Sequence, residues 1–269
     1  MLAEACEILG TGCRERATGG GGVELDFWLA PAGAPAPEEL RARLAERGHR
    51  VSVSAEREDS DWQGALRAFH RPVEVAGRLR VRPPWEPARD GLLDVVVDPG
   101  MAFGTGQHAT TLGCLELLAG LPPGPLLDAG AGSGVLAIAA RRLGFDPVWA
   151  IDSDPLAVEA TIANARRNGV GLRAARRVIG VDRLPPAPTV LANLTAETLA
   201  VLAAALEPPG PRALVAGGLR PEEAEGAERR FAPLALRRRA RIVRDGWCTL
   251  LLERAGEGES PRPGRPSAG

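Results

Sequence analysis

The sequence predicts an α/β chain: a mostly parallel sheet flanked by helices, preceded by a smaller α+β unit. Three observations carry that expectation. From Leu92 onward, short apolar runs alternate with helical patterns, as a parallel sheet requires. Between Asp98 and Gly134, two glycine-rich loops flank a single helix. Strand, glycine turn and helix together let a backbone approach a nucleotide-like ligand closely. Near the far end, Asp245-Gly246 joins two apolar runs as a tight hairpin, which closes the domain with an antiparallel strand.

In chain order, Leu2 to Leu9 has helical apolar spacing and stops at Gly10. Val23, Leu25, Phe27 and Leu29 alternate with polar neighbours and read as a strand. Pro37 opens a helix that runs to Arg47 and stops at Gly48. Val51, Val53 and Ala55 alternate again, as a second strand. Residues 1–57 form the small α+β unit. Residues 58–91 form a linker, with a helix from Glu58 to Phe69 and a short hairpin from Pro72 to Val81. Pro83-Pro84-Trp85 is a rigid connector.

Residues 92–254 form the larger domain. Its expected strands are Leu93 to Val97, Leu126-Leu127, Val148 to Ile151, a ragged Leu172 to Ile179, Thr189 to Ala192 and Ala213 to Ala216. The hairpin from Leu234 to Leu252 adds the last two. The helices are Thr110 to Ala119, Val135 to Leu143, Asp154-Pro155 to Asn168, Ala196 to Leu206 and Pro221 to Phe231. Asp154 supplies a cap and Pro155 a first-turn proline. Residues 255–269 are Gly, Pro, Ser and charge, the composition of a disordered tail.

Composition narrows the function. A net charge of -1 gives no global case for nucleic-acid binding. Lysine is absent, so no Walker lysine follows the glycine loop, which argues against a P-loop nucleotidase. Cys6, Cys13, Cys114 and Cys248 are scattered, with no C-x-x-C pair and no histidine cluster to complete a metal site. Those thiols are expected reduced, in a cytoplasmic protein. The chain shows no signal-peptide pattern and no long apolar span, so no membrane partner is expected.

The second loop, Asp128 to Gly134, reads D-A-G-A-G-S-G after the apolar Leu126-Leu127. Asp152 ends the next apolar run, about where a Rossmann-like unit places its ribose-binding carboxylate. A ribose-bearing ligand without a pyrophosphate fits better than a dinucleotide, because the spacing is G-x-G-x-G. His108 has no partner residue and reads as loop structure. Arg237, Arg238, Arg239, Arg241 and Arg244 form a basic run that reads as a guarded sheet edge.

This order of signals resembles a class I S-adenosylmethionine-dependent methyltransferase, a Rossmann-like fold with a seven-stranded, mostly parallel sheet. D-A-G-A-G-S-G matches that class's first motif and Asp152 its second. The first loop, D-P-G-M-A-F-G-T-G-Q-H-A-T-T from Asp98 to Thr111, is far more specific. It resembles the signature of the bacterial ribosomal protein L-eleven methyltransferase family. Asp61-Trp62, Pro72, Pro83-Pro84-Trp85, Leu191-Ala192-Asn193-Leu194 and Gly246-Trp247 resemble further family segments in the right order.

The resemblance implies S-adenosyl-L-methionine as cofactor, bound by Phe103, Thr111, Asp128, Gly130, Gly132, Gly134, Asp152 and Asn193. It implies methylation of amines, chiefly lysine side chains, of ribosomal protein L-eleven, recognised by the N-terminal unit, residues 1–57. Separately, a monomer is expected, and the net charge leaves no direct nucleic-acid binding expected. Asn193 is the expected catalytic residue: its side-chain carbonyl can orient the amine and stabilise the charge that develops on it. Another protein or a small amine as substrate, and a cofactor-binding ribosome-assembly module without turnover, are the competing readings. The chain departs from the family by opening in a helix rather than a strand, by Thr195 after the Asn193 motif, and by Ala216-Gly217-Gly218-Leu219 in place of a serine-glycine step.

Overall fold

The computed structural model describes residues 14–17, 23–26, 36–49, 51–53, 70–98 and 106–254. The chain divides into two compact units, Met1–Trp62 and Gln63–Gly269. The expected helices at Leu2 to Leu9 and Glu58 to Phe69, and the tail after residue 254, lie outside the described residues.

In the first unit, β1 (Arg14–Ala17) and β2 (Val23–Asp26) pair antiparallel, Arg14 opposite Asp26. The sequence reading missed β1, because Arg-Glu-Arg-Ala offers no apolar alternation. Helix α1 (Pro37–Glu46) starts on its proline, as expected, and Gly48 follows it with φ +85°. The strand expected at Val51, Val53 and Ala55 is a correction: residues 51–53 have no regular structure, and Ala55 lies outside the described residues. Alternation makes a strand only where a neighbouring strand takes up the backbone bonds.

The second unit opens with a three-stranded sheet. β3 (Val73–Val75) and β4 (Leu79–Arg82) form the expected hairpin. β5 (Leu93–Val96) pairs with β4 in parallel. The sequence placed β5 in the large sheet; the structure puts it here, with Asp94 opposite Arg80 and bonded to Arg82 Nε at 2.8 Å.

The large sheet follows after α2 (Ala109–Leu118). Its strands are β6 (Leu126–Ala129), β7 (Val148–Asp152), β8 (Arg173–Arg176), β9 (Thr189–Asn193), β10 (Ala213–Leu219), β11 (Leu236–Arg244) and β12 (Trp247–Arg254). They lie in the order β11-β12-β10-β9-β6-β7-β8. β12 runs antiparallel to β10, and the neighbours from β10 to β8 are parallel. Asp245 and Gly246, both at positive φ, make the turn between β11 and β12, as the dipeptide requires.

Helices α3 (Val135–Arg142), α4 (Pro155–Arg167), α5 (Ala196–Ala205) and α6 (Ala224–Phe231) connect these strands. The period-2 alternation of a strand sorts its side chains to two cores. Leu126, Ala150 and Leu191 face a core with Leu115, Ile138 and Phe145. Leu127, Ile151, Val190 and Ala192 face another with Leu202 and Phe231. Parallel strands buried on both faces end at one edge of the sheet, and their carboxyl ends open there together.

Each arginine of the basic run on β11 has a partner. Arg238 pairs with Glu228, Arg239 with Glu253 and Arg244 with Glu116. Arg237 donates to the Ala232 carbonyl and Arg241 to that of Pro221.

Candidate functional site

At the carboxyl ends of β6, β7, β8 and β9 lies a cleft of about 380 Å³, within the ordinary size of small-molecule sites. Its floor is the turn after β6. Gly130, Gly132 and Gly134 have φ of +82°, +55° and +81°, so the chain can fold tightly and leave its backbone open to a ligand. The Gly130 and Ala131 N–H groups donate to the Ile151 carbonyl at 2.9 and 3.0 Å, which locks the turn to β7.

Asp152, the last residue of β7, lines the cleft. Its Oδ2 accepts the Gly132 N–H at 2.9 Å and its Oδ1 accepts that of Asp154 at 3.0 Å. Two backbone donors fix the carboxylate, and each oxygen keeps a lone pair for a hydroxyl. Asn193 lines the cleft from the other side of β6, half-buried at the tip of β9. Its Nδ2 donates to Thr111 Oγ1 at 3.4 Å. Thr111 is on the first turn of α2, which starts at the end of the first glycine-rich loop.

The structure therefore brings Thr111, Gly130, Gly132, Asp152 and Asn193 to one cleft. Gly134 is not on its wall; it caps α3 and lies against Thr161. Phe103 lies outside the described residues. Asp128 is not on the wall either. It is fully buried, and its Oδ2 accepts the Ala137 N–H at 3.0 Å, which anchors the first turn of α3. Burial pushes its carboxyl up to about 7, the Ala137 N–H pulls against that, and the charge on Asp152 adds to it. Burial, with Asp128 beside it, also pushes the Cys114 thiol up, so that thiol stays protonated.

Sequence reasoning missed the far wall, Arg177 to Ile179, and Leu194 and Thr198 near Asn193. Asp182 Oδ2 accepts the Val178 N–H at 2.7 Å and shapes that wall. An Asp six residues after β8 ends was the available signal.

Beside Asn193, β10 contains Gly217-Gly218, where the register with β12 shifts before Leu219 pairs with Cys248. A Cβ on Gly217 would stand 2.6 Å from Cys114 Sγ and 3.0 Å from Asn193 Oδ1. Beyond the shift, Arg220 lies over the Trp247 ring at 4.0 Å, and His108 meets that ring edge-on at 5.1 Å. His108 Nδ1 also sits 2.8 Å from Thr110 Oγ1, and the side chain caps α2, so it has a structural task as expected.

The cleft lining holds one cation, Arg177, and one carboxylate, Asp152, among the described residues. That donor set suits a nucleoside with a free ribose diol better than a pyrophosphate. Among the described residues no group of side chains could hold a metal ion, and no helix is long and apolar enough to cross a membrane. Cys114 and Cys248 are buried free thiols.

The strand order, the antiparallel β12 and the glycine turn after the central β6 define a class I methyltransferase fold. A solved ribosomal protein L11 methylase from Lactobacillus delbrueckii subsp. bulgaricus superposes with a TM-score of 0.61 at 25% identity, over 70% of this chain and 100% of that one. The sequence model of the family described as "Ribosomal protein L11 methyltransferase (PrmA)" matches residues 36–255, and the chain belongs to that family. A relative of that name from Symbiobacterium thermophilum is 38% identical over 85% of this chain and 80% of its own length. Another, from Pelotomaculum thermopropionicum, is 42% identical over 70% of this chain, which spans 64% of that relative's length.

Proposed function

We propose that the chain methylates amines of ribosomal protein L11, chiefly lysine side chains, with S-adenosylmethionine as methyl donor. One observation carries the reading: a single cleft holds the fixed Asp152 carboxylate from β7 and, across β6, the Asn193 carboxamide from β9. Bound there, S-adenosylmethionine would supply a sulfonium methyl: the lone pair of a neutral amine forms the N–C bond in line as the C–S bond breaks, S-adenosylhomocysteine leaves, and the added proton of the amine passes to solvent.

The chain's residues divide that task. Asp152 takes the ribose hydroxyls and the glycine turn admits the nucleoside. Asn193, steadied by Thr111, turns its carbonyl to the incoming amine. There it orients the lone pair and stabilises the charge that develops, which is positioning and electrostatics rather than acid-base work. The cofactor half of the sheet is β6, β7 and β8; Asn193 is its border. The amine then approaches from the β10 and β12 side, past Trp247. The first unit, Met1–Trp62, recognises the ribosomal protein, and the work is cytoplasmic.

The test is incubation of the chain with labelled S-adenosylmethionine and purified L11, then mass spectrometry of L11. Labelled lysines are expected. Label on another protein of a lysate but not on L11 would transfer the chemistry to a different substrate. Cofactor binding without label anywhere would leave a binding module.

A further inference from the structure

One face of α4 is polar and buried, where a helix against a sheet ordinarily packs apolar side chains. Thr161, Asn164 and Asn168 are 1%, 3% and 4% exposed. Their spacing of three and four residues stacks them on one face. Each bonds to backbone outside the helix. Thr161 Oγ1 donates to the Gly132 carbonyl at 3.0 Å. Asn164 Nδ2 donates to the Ser133 carbonyl at 2.9 Å, and its Oδ1 accepts the Asp98 N–H at 3.2 Å. Asn168 accepts the Val96 N–H at 2.8 Å and donates to the Val96 carbonyl at 2.7 Å, much as a neighbouring strand would.

Asn164 thus joins both glycine loops with one carboxamide. Asp98 opens the first loop, and Ser133 lies in the second. We infer that Asn164, with Thr161 beside it, is a positioning residue for the cofactor, resting on the reading of the cleft as an S-adenosylmethionine site. The turn it holds carries three glycines at positive φ and is intrinsically soft. Asp152 fixes that turn from the cleft side through the Gly132 N–H. Thr161 and Asn164 fix it from beneath, through the carbonyls of Gly132 and Ser133. A turn pinned on both sides is already in its binding shape, so ligand binding does not have to supply the cost of ordering it. Asn168, which caps the C-terminal end of the helix, is the internal contrast: it has the same residue type and burial, but outside the helix its side chain bonds to β5 alone.

The experiment is calorimetric titration of the full chain with S-adenosylmethionine, beside thermal melts, for the unmutated chain, Asn164→Ala, Asn168→Ala and Thr161→Val. Both asparagine variants lose a buried carboxamide and should melt earlier. Asn164→Ala should bind at least about tenfold more weakly, whereas Asn168→Ala should stay within about threefold of the unmutated chain. Thr161→Val, nearly isosteric, should weaken binding in the same direction, and it carries the test alone where Asn164→Ala does not fold. Unchanged affinity in Asn164→Ala and Thr161→Val, or an equal loss in Asn168→Ala, would show the polar face to be structural only. An unmutated, folded chain that does not bind S-adenosylmethionine would overturn the reading of the cleft itself, and this inference with it.

Discussion

Glycines follow β6 and interrupt β10 near its end, and the two strands use them differently. After β6, Gly130 and Gly132 border the cleft at positive φ. There a Cβ on Gly130 would stand 2.4 Å from Leu194 Cδ2, the far end of a side chain on the cleft wall, so the missing side chain lets the turn and that wall close together. Within β10, Gly217 and Gly218 lie against the Asn193 side chain and backbone instead. A Cβ on Gly218 would stand 2.3 Å from the Leu194 carbonyl oxygen, and one on Gly217 would press on Asn193. There the missing side chains let β10 close up behind the Asn193 carboxamide. The difference separates two kinds of defect. Damage on the β6 side should appear in cofactor affinity, and damage on the β10 side in turnover.

Asn193 lies on the border and gives the sharpest test. Asn193→Ala removes the acceptor and keeps the backbone. Turnover should fall on the order of a hundredfold, the usual result of deleting one positioned polar group at a reacting centre. Cofactor affinity should fall much less. Single-turnover kinetics beside a binding titration separate the two, and equal losses would make Asn193 a cofactor ligand only.

Asp152→Ala tests the β6 side. A hydrogen bond to a charged group contributes about 1.5–3 kcal/mol, and that is the expected loss in S-adenosylmethionine binding. Part of it comes from the turn, since Gly132 and Asp154 lose their acceptor. Calorimetry that finds unchanged affinity would remove Asp152 from the site.

Gly217→Ala tests the β10 side. The new methyl must push back Cys114 or Asn193, at a stability cost of about 1–3 kcal/mol. Turnover should drop about tenfold, because displacement of a reacting geometry by about an ångström is costly. Cofactor affinity should hold. Cys114→Ala in the same chain vacates the sulfur's place and should restore part of the rate. No restoration would mean that the strain is taken up elsewhere.

Much of this site was legible because its signals are local. The glycine turn, the Asp154-Pro155 helix start and the Asp245-Gly246 hairpin are each dictated by a few adjacent residues, and each stands where the sequence puts it. What the sequence hid depends on contacts far along the chain. β5 reads as a strand in either sheet; its partner is decided by Asp94 facing Arg80 and Arg82 and by Asn168 on α4. Asn164 and Asn168 look like exposed helix polars until the fold turns them inward. Asp128 fits its motif and still differs in place from Asp152. One acid ends its strand facing the core and the other facing the cleft, and one motif letter cannot report which.

That contrast between the two acids gives the last prediction, with the smallest expected effect on the site. Asp128→Asn keeps an oxygen for the Ala137 N–H and brings no charge, so S-adenosylmethionine affinity should stay within about threefold. Stability should change with pH in a definite direction. In the unfolded chain Asp128 loses its proton near the ordinary value of 3.8; in the folded chain it holds the proton to about 7. Between those limits the folded state binds the extra proton, so raising the pH favours unfolding, by up to about 1.4 kcal/mol per pH unit from this group. The stability tied to the protonated carboxyl is whole below the unfolded value, is lost as pH rises through the window, and changes no further above 7. Asp128→Asn has no proton to lose there. Denaturant unfolding from pH 5 to 8 should therefore show the variant gaining on the unmutated chain up to about pH 7, after which the gap stays constant. A gap that stays flat from pH 5 to 8 would mean that the native carboxyl is already ionised at pH 5, and would overturn the reading of Asp128 as a carboxyl that burial keeps protonated.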